Sequence, residues 1–259
     1  MKREDFDRES IEALLSQAHS NDRQFKHSGA SSHCYRLNLP LGESAVAAFE
    51  AEHEISLPTE FRWFLTEIAD GGAGPCYGIL PLARILEDEL DHEPSDVIVD
   101  DPTKLPGRTA WVSKELQDIV IELSPIIGEF VGEQPPTSLK APFVPPLDAS
   151  DGRPYPADGI LPLAHVGCGG MYVLVVAGPE RGNMWELTSS GYYQPIPDDN
   201  LRLRLGRVRS DRILAADGEY AATVRAEQDY VSSLLSDQNR SRMTFWEWYS
   251  NWLSEVSAR

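Results

Sequence analysis

Helices combined with antiparallel strands are the architecture the sequence predicts, and two stretches predict it. Residues 57–82, LPTEFRWFLTEIADGGAGPCYGILPL, read as helix, glycine turn and strand, and residues 165–187, HVGCGGMYVLVVAGPERGNMWEL, read as strands joined by glycine loops. In the first, Pro58 sits where a helix begins and its missing N–H is unused, while Leu57, Phe61, Phe64, Leu65 and Ile68 recur at helical spacing on one side. Asp70, Gly71 and Gly72 then supply residues that tolerate a left-handed C-terminus, and Gly74-Pro75 extends the turn into a short strand with Tyr77, Ile79 and Leu80. In the second, ILPLAHV is apolar enough for a buried strand and breaks at Gly167, Gly169 and Gly170. MYVLVVA has the β-branched and aromatic residues of a central strand and is too short to span a membrane. Gly178, Pro179 and Gly182 turn the chain with Glu180 and Arg181 at the tip, and NMWEL starts the returning strand of an antiparallel hairpin.

The other elements follow in chain order. Ser10 to Ala18 forms a short helix with Ile11, Leu14 and Leu15 on one side, and residues 1–40 read as an N-terminal extension. From Glu43 a second helix turns Val46, Ala47 and Phe49 inward and leads into the LPTEF helix; this pair opens the main domain, residues 41–259. Between about 84 and 156 lies an insertion that leaves the sheet and returns to it. It carries Glu87, Asp88, Glu89, Asp91, Glu93, Asp96, Asp100 and Asp101 with no intervening Lys or Arg, a helix over Trp111 to Ile127, and the proline-rich EQPPTSLKAPFVPPLDASDGRPYP. A second insertion, about 198–240, contains LRLRLGRVR, whose alternation is that of a strand with Arg202, Arg204, Arg207 and Arg209 on one face. These arginines either form a small basic patch or, the favoured reading, compensate the acidic insertion. Glu219 to Leu235 follows as a helix. The closing helix, Thr244 to Val256, aligns Phe245, Trp248, Tyr249, Trp252 and Val256 as a core stripe and leaves Trp246 as its exposed member.

LPTEFRWFL…GG…GPCYGILPL, GCGGMYVLVVAGPERGNMWEL and FWEWYSNWL together resemble the three signature blocks of the SUKH superfamily, which includes fungal cell-wall-synthesis regulators and bacterial immunity proteins that neutralise toxins. The resemblance covers about a third of the chain directly, and this chain departs from it in length, with long insertions between the blocks. It implies an α+β fold, an antiparallel sheet with helices packed against it, no catalytic activity, and a cognate toxin protein as partner.

Composition is that of a globular chain: 259 residues, 41% hydrophobic, enough for a sizeable core. With 41 acidic against 23 basic residues the formal charge is −18. That field repels nucleic acid and anionic membranes and speeds encounter with a basic partner; it also serves solubility alone. The charged MKREDFDRES start lacks the apolar stretch of a signal peptide, and Cys34, Cys76 and Cys168 form no CxxC pair, so a cytoplasmic protein with reduced thiols is expected.

Motifs for chemistry are sparse. GCGGMY is followed by a strand, not by the helix whose N-terminus would hold a phosphate. His53-Glu54 lacks the second histidine of a zinc protease, and no two of the six histidines fall at ligand spacing, so neither cofactor nor metal is expected. His165 and Cys168 across the glycine turn, or an unmarked pair of carboxylates, are the alternatives from the enzyme class. For binding, Glu60, Tyr77, Glu180, Arg181 and Trp185 flank the turns and helix starts, and the acidic run beginning Glu87, Asp88, Glu89, Asp91 is the other candidate surface. Trp185 is equally placed to be core, and Glu60 to favour only the positive end of its helix.

Overall fold

The computed structural model describes residues 2–85, 138–143, 158–167, 170–187, 193–199, 201, 225–226, 229–230, 232–234 and 242–258. The acidic run with Glu87, Asp88, Glu89 and Asp91, the expected helix over 111–127, Arg202 to Arg209 and Cys168 lie outside them. So does much of the 219–235 helix, whose described residues are helical.

Helix α1 (Arg8–Asn21) opens on a reciprocal cap: the Asp7 carboxylate accepts from Ser10 N–H at 2.8 Å and the Ser10 hydroxyl accepts from Asp7 N–H at 2.9 Å. Its apolar side, Ile11, Leu15 and Ala18, is buried. With Ala30 and Tyr35, these residues of the N-terminal segment belong to the same core as the strands. Arg8 ties the segment down further, donating to the carbonyls of Asn38 and Ile68. A short helix α2 (Ala30–His33) follows, and then α3 (Glu43–Glu52). Val46 is fully buried and Phe49 half-buried, whereas Ala47, expected inward, is exposed. Ala47 lies about 100° around the helix from Val46, outside the stripe that Val46 shares with Phe49 and Glu50.

The LPTEF helix is α4 (Thr59–Trp63), continued by one π-helical turn over Phe64–Ile68 in which Ala69 N–H reaches back five residues to Phe64 O at 2.8 Å. Phe61, Phe64, Leu65 and Ile68 are all fully buried, as their spacing predicts. Gly71 and Gly72 exit at φ +77° and +101°, and a side chain on Gly71 would meet the Ile79 carbonyl oxygen at 2.4 Å, so this turn requires glycine. The strand expected at Tyr77 to Leu80 is instead a single bridge, Gly72 to Ile79. Its backbone still reaches the sheet through Leu80 N–H to Leu163 O at 2.8 Å and Tyr77 N–H to His165 O at 3.3 Å.

The sheet is antiparallel throughout, in the order β1 (Ile160–Gly167), β2 (Gly170–Val175), β3 (Met184–Leu187), β4 (Tyr193–Pro195). The chain is therefore an α+β fold. Helix α5 (Phe245–Ser257) packs against α1 and α4, with Phe245 5.1 Å from Phe61 and 5.2 Å from Phe64, ring centre to ring centre. Trp246, expected to be exposed, is buried between Phe6 and Trp63 at 5.3 and 5.4 Å. The residues covering it come from the two other ends of the helical layer, which spacing within α5 does not reveal. Among the described residues no helix is long and apolar enough to cross a membrane.

Candidate binding groove

A groove of about 620 Å³ opens between the GPCYG turn, the sheet and α5, lined by Pro75, Cys76, Tyr172, Ile196, Asp199, Met243, Trp248, Asn251, Trp252, Ser254 and Glu255. That volume lies within the usual range for ligand sites. Tyr172 and Trp248 meet edge to face at 5.3 Å, and Trp252 leans on Tyr249 at 5.6 Å. Both tryptophans are on α5 because positions 248 and 252 are one helical turn apart. Tyr172 faces them from β2, where its cross-strand partner is Glu186 on β3, which in turn pairs with Gln194 on β4. The Gln194 amide donates to the Glu186 carboxylate at 2.8 Å.

Electrostatically the floor of the groove is neutral groups beside an anion. Burial pushes the Cys76 thiol up, and the Glu186 carboxylate adds to that, although the Tyr172 hydroxyl, hydrogen-bonded to the thiol, works the other way. Burial likewise holds the Tyr172 phenol protonated, reinforced by Cys76 and Glu186. A thiol in these surroundings is a weak nucleophile.

His33 stands behind both walls. Its Nδ1 accepts from Tyr35 N–H at 3.0 Å, it hydrogen-bonds to the backbone of Cys76, and its ring meets Trp252 edge to face at 5.8 Å. Burial holds its pKa down to about 4, partly countered by the Cys76 hydrogen bond, so the ring is neutral near pH 7. Cys76 itself adopts φ +50°, a left-handed conformation uncommon for a residue with a side chain. Gly29, at the start of α2, packs so closely beneath it that a Cβ there would lie 2.2 Å from the Cys76 carbonyl oxygen.

Of the sequence-derived candidates among the described residues, most make contacts within the fold. The Glu60 carboxylate accepts from Trp246 N–H at 3.0 Å and so caps the N-terminus of α5. Arg181 donates to the carbonyls of Ser56 and Leu57, both at 3.0 Å, clamping the entry to α4. Glu180 accepts from the Asn183 amide at 3.0 Å and stands 3.7 Å from the buried Arg242, whose guanidinium lies over the Trp185 ring. Trp185 is 1% exposed and meets Phe143 edge to face at 5.1 Å; it is a core residue and presents no surface to a partner. Tyr77 is half-buried over Gly167, next to the groove. His165 is paired with Met171 on β1, and its expected companion Cys168 is outside the described residues. Sequence reasoning missed Cys76 and Tyr172 as groove residues; the α5 stripe it placed in the core is buried at Phe245, Trp248, Tyr249 and Val256, and Trp252 is half-buried against the same core. No local spacing signals them, because Cys76, Tyr172 and α5 are far apart in the sequence.

Among the described residues no group of His, Cys, Asp and Glu is arranged to hold a metal. No curated protein and no solved structure matches the chain. A family model does match, over residues 40–201, a span holding the LPTEF and GCGGMY blocks but ending before α5. That span is more than half of the 259 residues, and the chain accordingly belongs to the SMI1 / KNR4 family (SUKH-1).

Proposed function

We propose that this chain is a non-catalytic binding protein of the immunity type, which binds a cognate bacterial toxin domain and blocks its active site or its access to substrate. Membership of the SUKH-1 family carries the reading. The groove supports it, because the partly exposed Tyr172 and Trp252 side chains flanked by polar ones match the composition of protein recognition sites. The half-buried Cys76 thiol, whose pKa is pushed up, favours recognition over nucleophilic chemistry at that place. With a net charge of −18, the partner is proposed to be basic, and a nuclease domain suits that description because its substrate groove attracts phosphate.

The test is protection. Co-expression with the toxic domain encoded beside its gene should restore growth, and the two purified chains should form a near 1:1 complex. Survival no better than with the toxin alone, together with no complex at low salt, rejects the reading. A regulatory scaffold is the second reading, favoured by the SMI1 / KNR4 branch for which the family is named; it predicts several partners of modest affinity and no protection.

A further inference from the structure

We propose that His33 is a positioning residue of the groove: from behind, it joins the Cys76 turn on one wall to Trp252 on the other, so that the site is shaped before a partner arrives. The inference deepens the binding reading and rests on it.

Cys76 lines the groove at φ +50°, where its Cβ crowds its own backbone, so its surroundings must hold it there. Two residues bounding one short helix do so. Gly29 starts α2, and its backbone packs against the Cys76–Tyr77 peptide so closely that a Cβ there would clash with the Cys76 carbonyl and with Tyr77 N. His33, the last residue of α2, is 1% exposed; it hydrogen-bonds to the Cys76 backbone and meets the Trp252 ring edge to face at 5.8 Å. One side chain therefore touches both walls.

The orientation of that side chain is itself fixed. Its Nδ1 accepts from Tyr35 N–H at 3.0 Å, which leaves the ring proton on Nε2 and makes that nitrogen the donor toward Cys76. The Tyr35 ring packs on it edge to face at 5.4 Å and is anchored in turn by its hydroxyl, which donates to the Asp22 carboxylate at 2.9 Å. An apolar side chain of the same size would fill the space, but it would leave Tyr35 N–H without its acceptor and the Cys76 backbone without its donor. Hydrogen bonds on both sides of a buried ring specify one orientation, as the support of a preorganised site requires. Cys76 lies within the family-matched span, whereas His33 and Trp252 lie outside it, so segments of this chain beyond that span set the shape of the turn within it.

Two isosteres of the full-length protein separate positioning from packing. His33→Asn keeps an acceptor near Nδ1 but does not reach Cys76; His33→Gln puts an amide near Nε2. Val46→Ala, a truncation at a fully buried position on α3 that does not line the groove, controls for general loosening. Alkylation of Cys76 by iodoacetamide, followed peptide by peptide in native buffer, should run about fivefold faster in His33→Asn than in the wild type, the factor one neutral hydrogen bond is worth in an opening equilibrium. The Trp252 indole signal should move in the same variant. His33→Gln should stay nearer the wild type in both readouts, and Val46→Ala should change neither. Wild-type labelling and an unmoved indole in folded His33→Asn overturn the proposal, as does equal acceleration in His33→Asn and Val46→Ala. If Cys76 and Trp252 respond as expected while His33→Asn still protects fully against the toxic domain, the positioning role stands and the binding surface lies away from the groove.

Discussion

Acid should weaken this fold through His33 before it reaches the carboxylates. In the folded chain the His33 ring is neutral down to about pH 4, whereas in the unfolded chain it protonates near 6.5. A histidine whose folded pKa is depressed makes its full contribution above the unfolded value, and that contribution is lost as pH falls through the window down to the folded one. Between pH 6.5 and 4 the unfolded state takes up a proton that the native state refuses, so the unfolding free energy drops. The gap of about 2.5 units corresponds to about 3 kcal/mol, a sizeable fraction of an ordinary domain's stability. Other groups fall outside this window or oppose it. Asp7 and Asp22, held low by backbone and side-chain hydrogen bonds, and Glu43 and Glu54, held low by Arg62 and Lys140, lose their contribution mainly below pH 4.5. Asp70, pushed up by burial, takes up its proton more readily when folded and so partly offsets the loss.

The assay is urea unfolding at pH 7, 6, 5 and 4.5 for the wild type and for His33→Asn, whose amide oxygen can take the place of Nδ1 opposite Tyr35 N–H. The variant starts from a lower stability at pH 7, and its slope with pH between 6.5 and 4.5 should be flatter, so that the two curves converge. Curves that stay parallel across this range would refute the claim that His33 is neutral in the folded protein. Because His33 stays neutral while the chain is folded, the Trp252 indole signal of the wild type should keep its place over the same interval and move only as the pH approaches 4.

Three further outcomes are expected. Gly29→Ala places a Cβ 2.2 Å from the Cys76 carbonyl oxygen at φ +74°, and should cost at least about 2 kcal/mol in urea unfolding; a loss within experimental error would mean that the turn moves freely. Glu60→Ala removes the cap on Trp246 N–H and should lower stability by about 1 kcal/mol, and Glu180→Ala, which strips the described carboxylate from buried Arg242, by about 2 to 3 kcal/mol; unchanged stability with weakened partner binding would return both residues to the interface. Association with a basic partner, followed by stopped flow, should slow at least tenfold between 20 and 300 mM salt on the scale of steered encounters, and a flat salt response would remove the charge argument.

Legibility in the sequence tracked how local the cause of each feature is. The buried face of α4, the hairpin between β2 and β3, and the glycine exit at Gly71 and Gly72 depend on spacing of 3.6 or 2 residues and on backbone freedom, and all were readable. The π turn after Trp63 was not, since the same residues satisfy a regular helix equally well. Trp185 and Trp246 show the limit more sharply. Both flank helix starts or turns and looked available, yet one is covered by Phe143 and the other by Phe6 and Trp63. Loop position predicts exposure only until a segment distant in sequence closes over it. The groove failed for the same reason in reverse: Tyr172 lies 96 residues after Cys76 and 80 before Trp252, and no local pattern places them together.

That distance also explains why the ends of the chain matter to a site formed around its middle. Helix α5 supplies Trp248 and Trp252, and what holds α5 in place is largely the N-terminal segment: α1 packs along it, Phe6 covers Trp246, and the Asn21 amide donates to Ser257 O at 3.4 Å. Glu60 fixes the other end through its cap on Trp246 N–H. A core shared in this way unfolds cooperatively, so loosening residues 2–21 should loosen the groove although none of them lines it. Ile11→Ala, at a fully buried position on α1, is the sharpest probe. It should cost about 2 to 5 kcal/mol and raise amide exchange throughout α5, ahead of β2 and β3. Exchange confined to α1 would show instead that the N-terminal helix rests on the domain without bracing it.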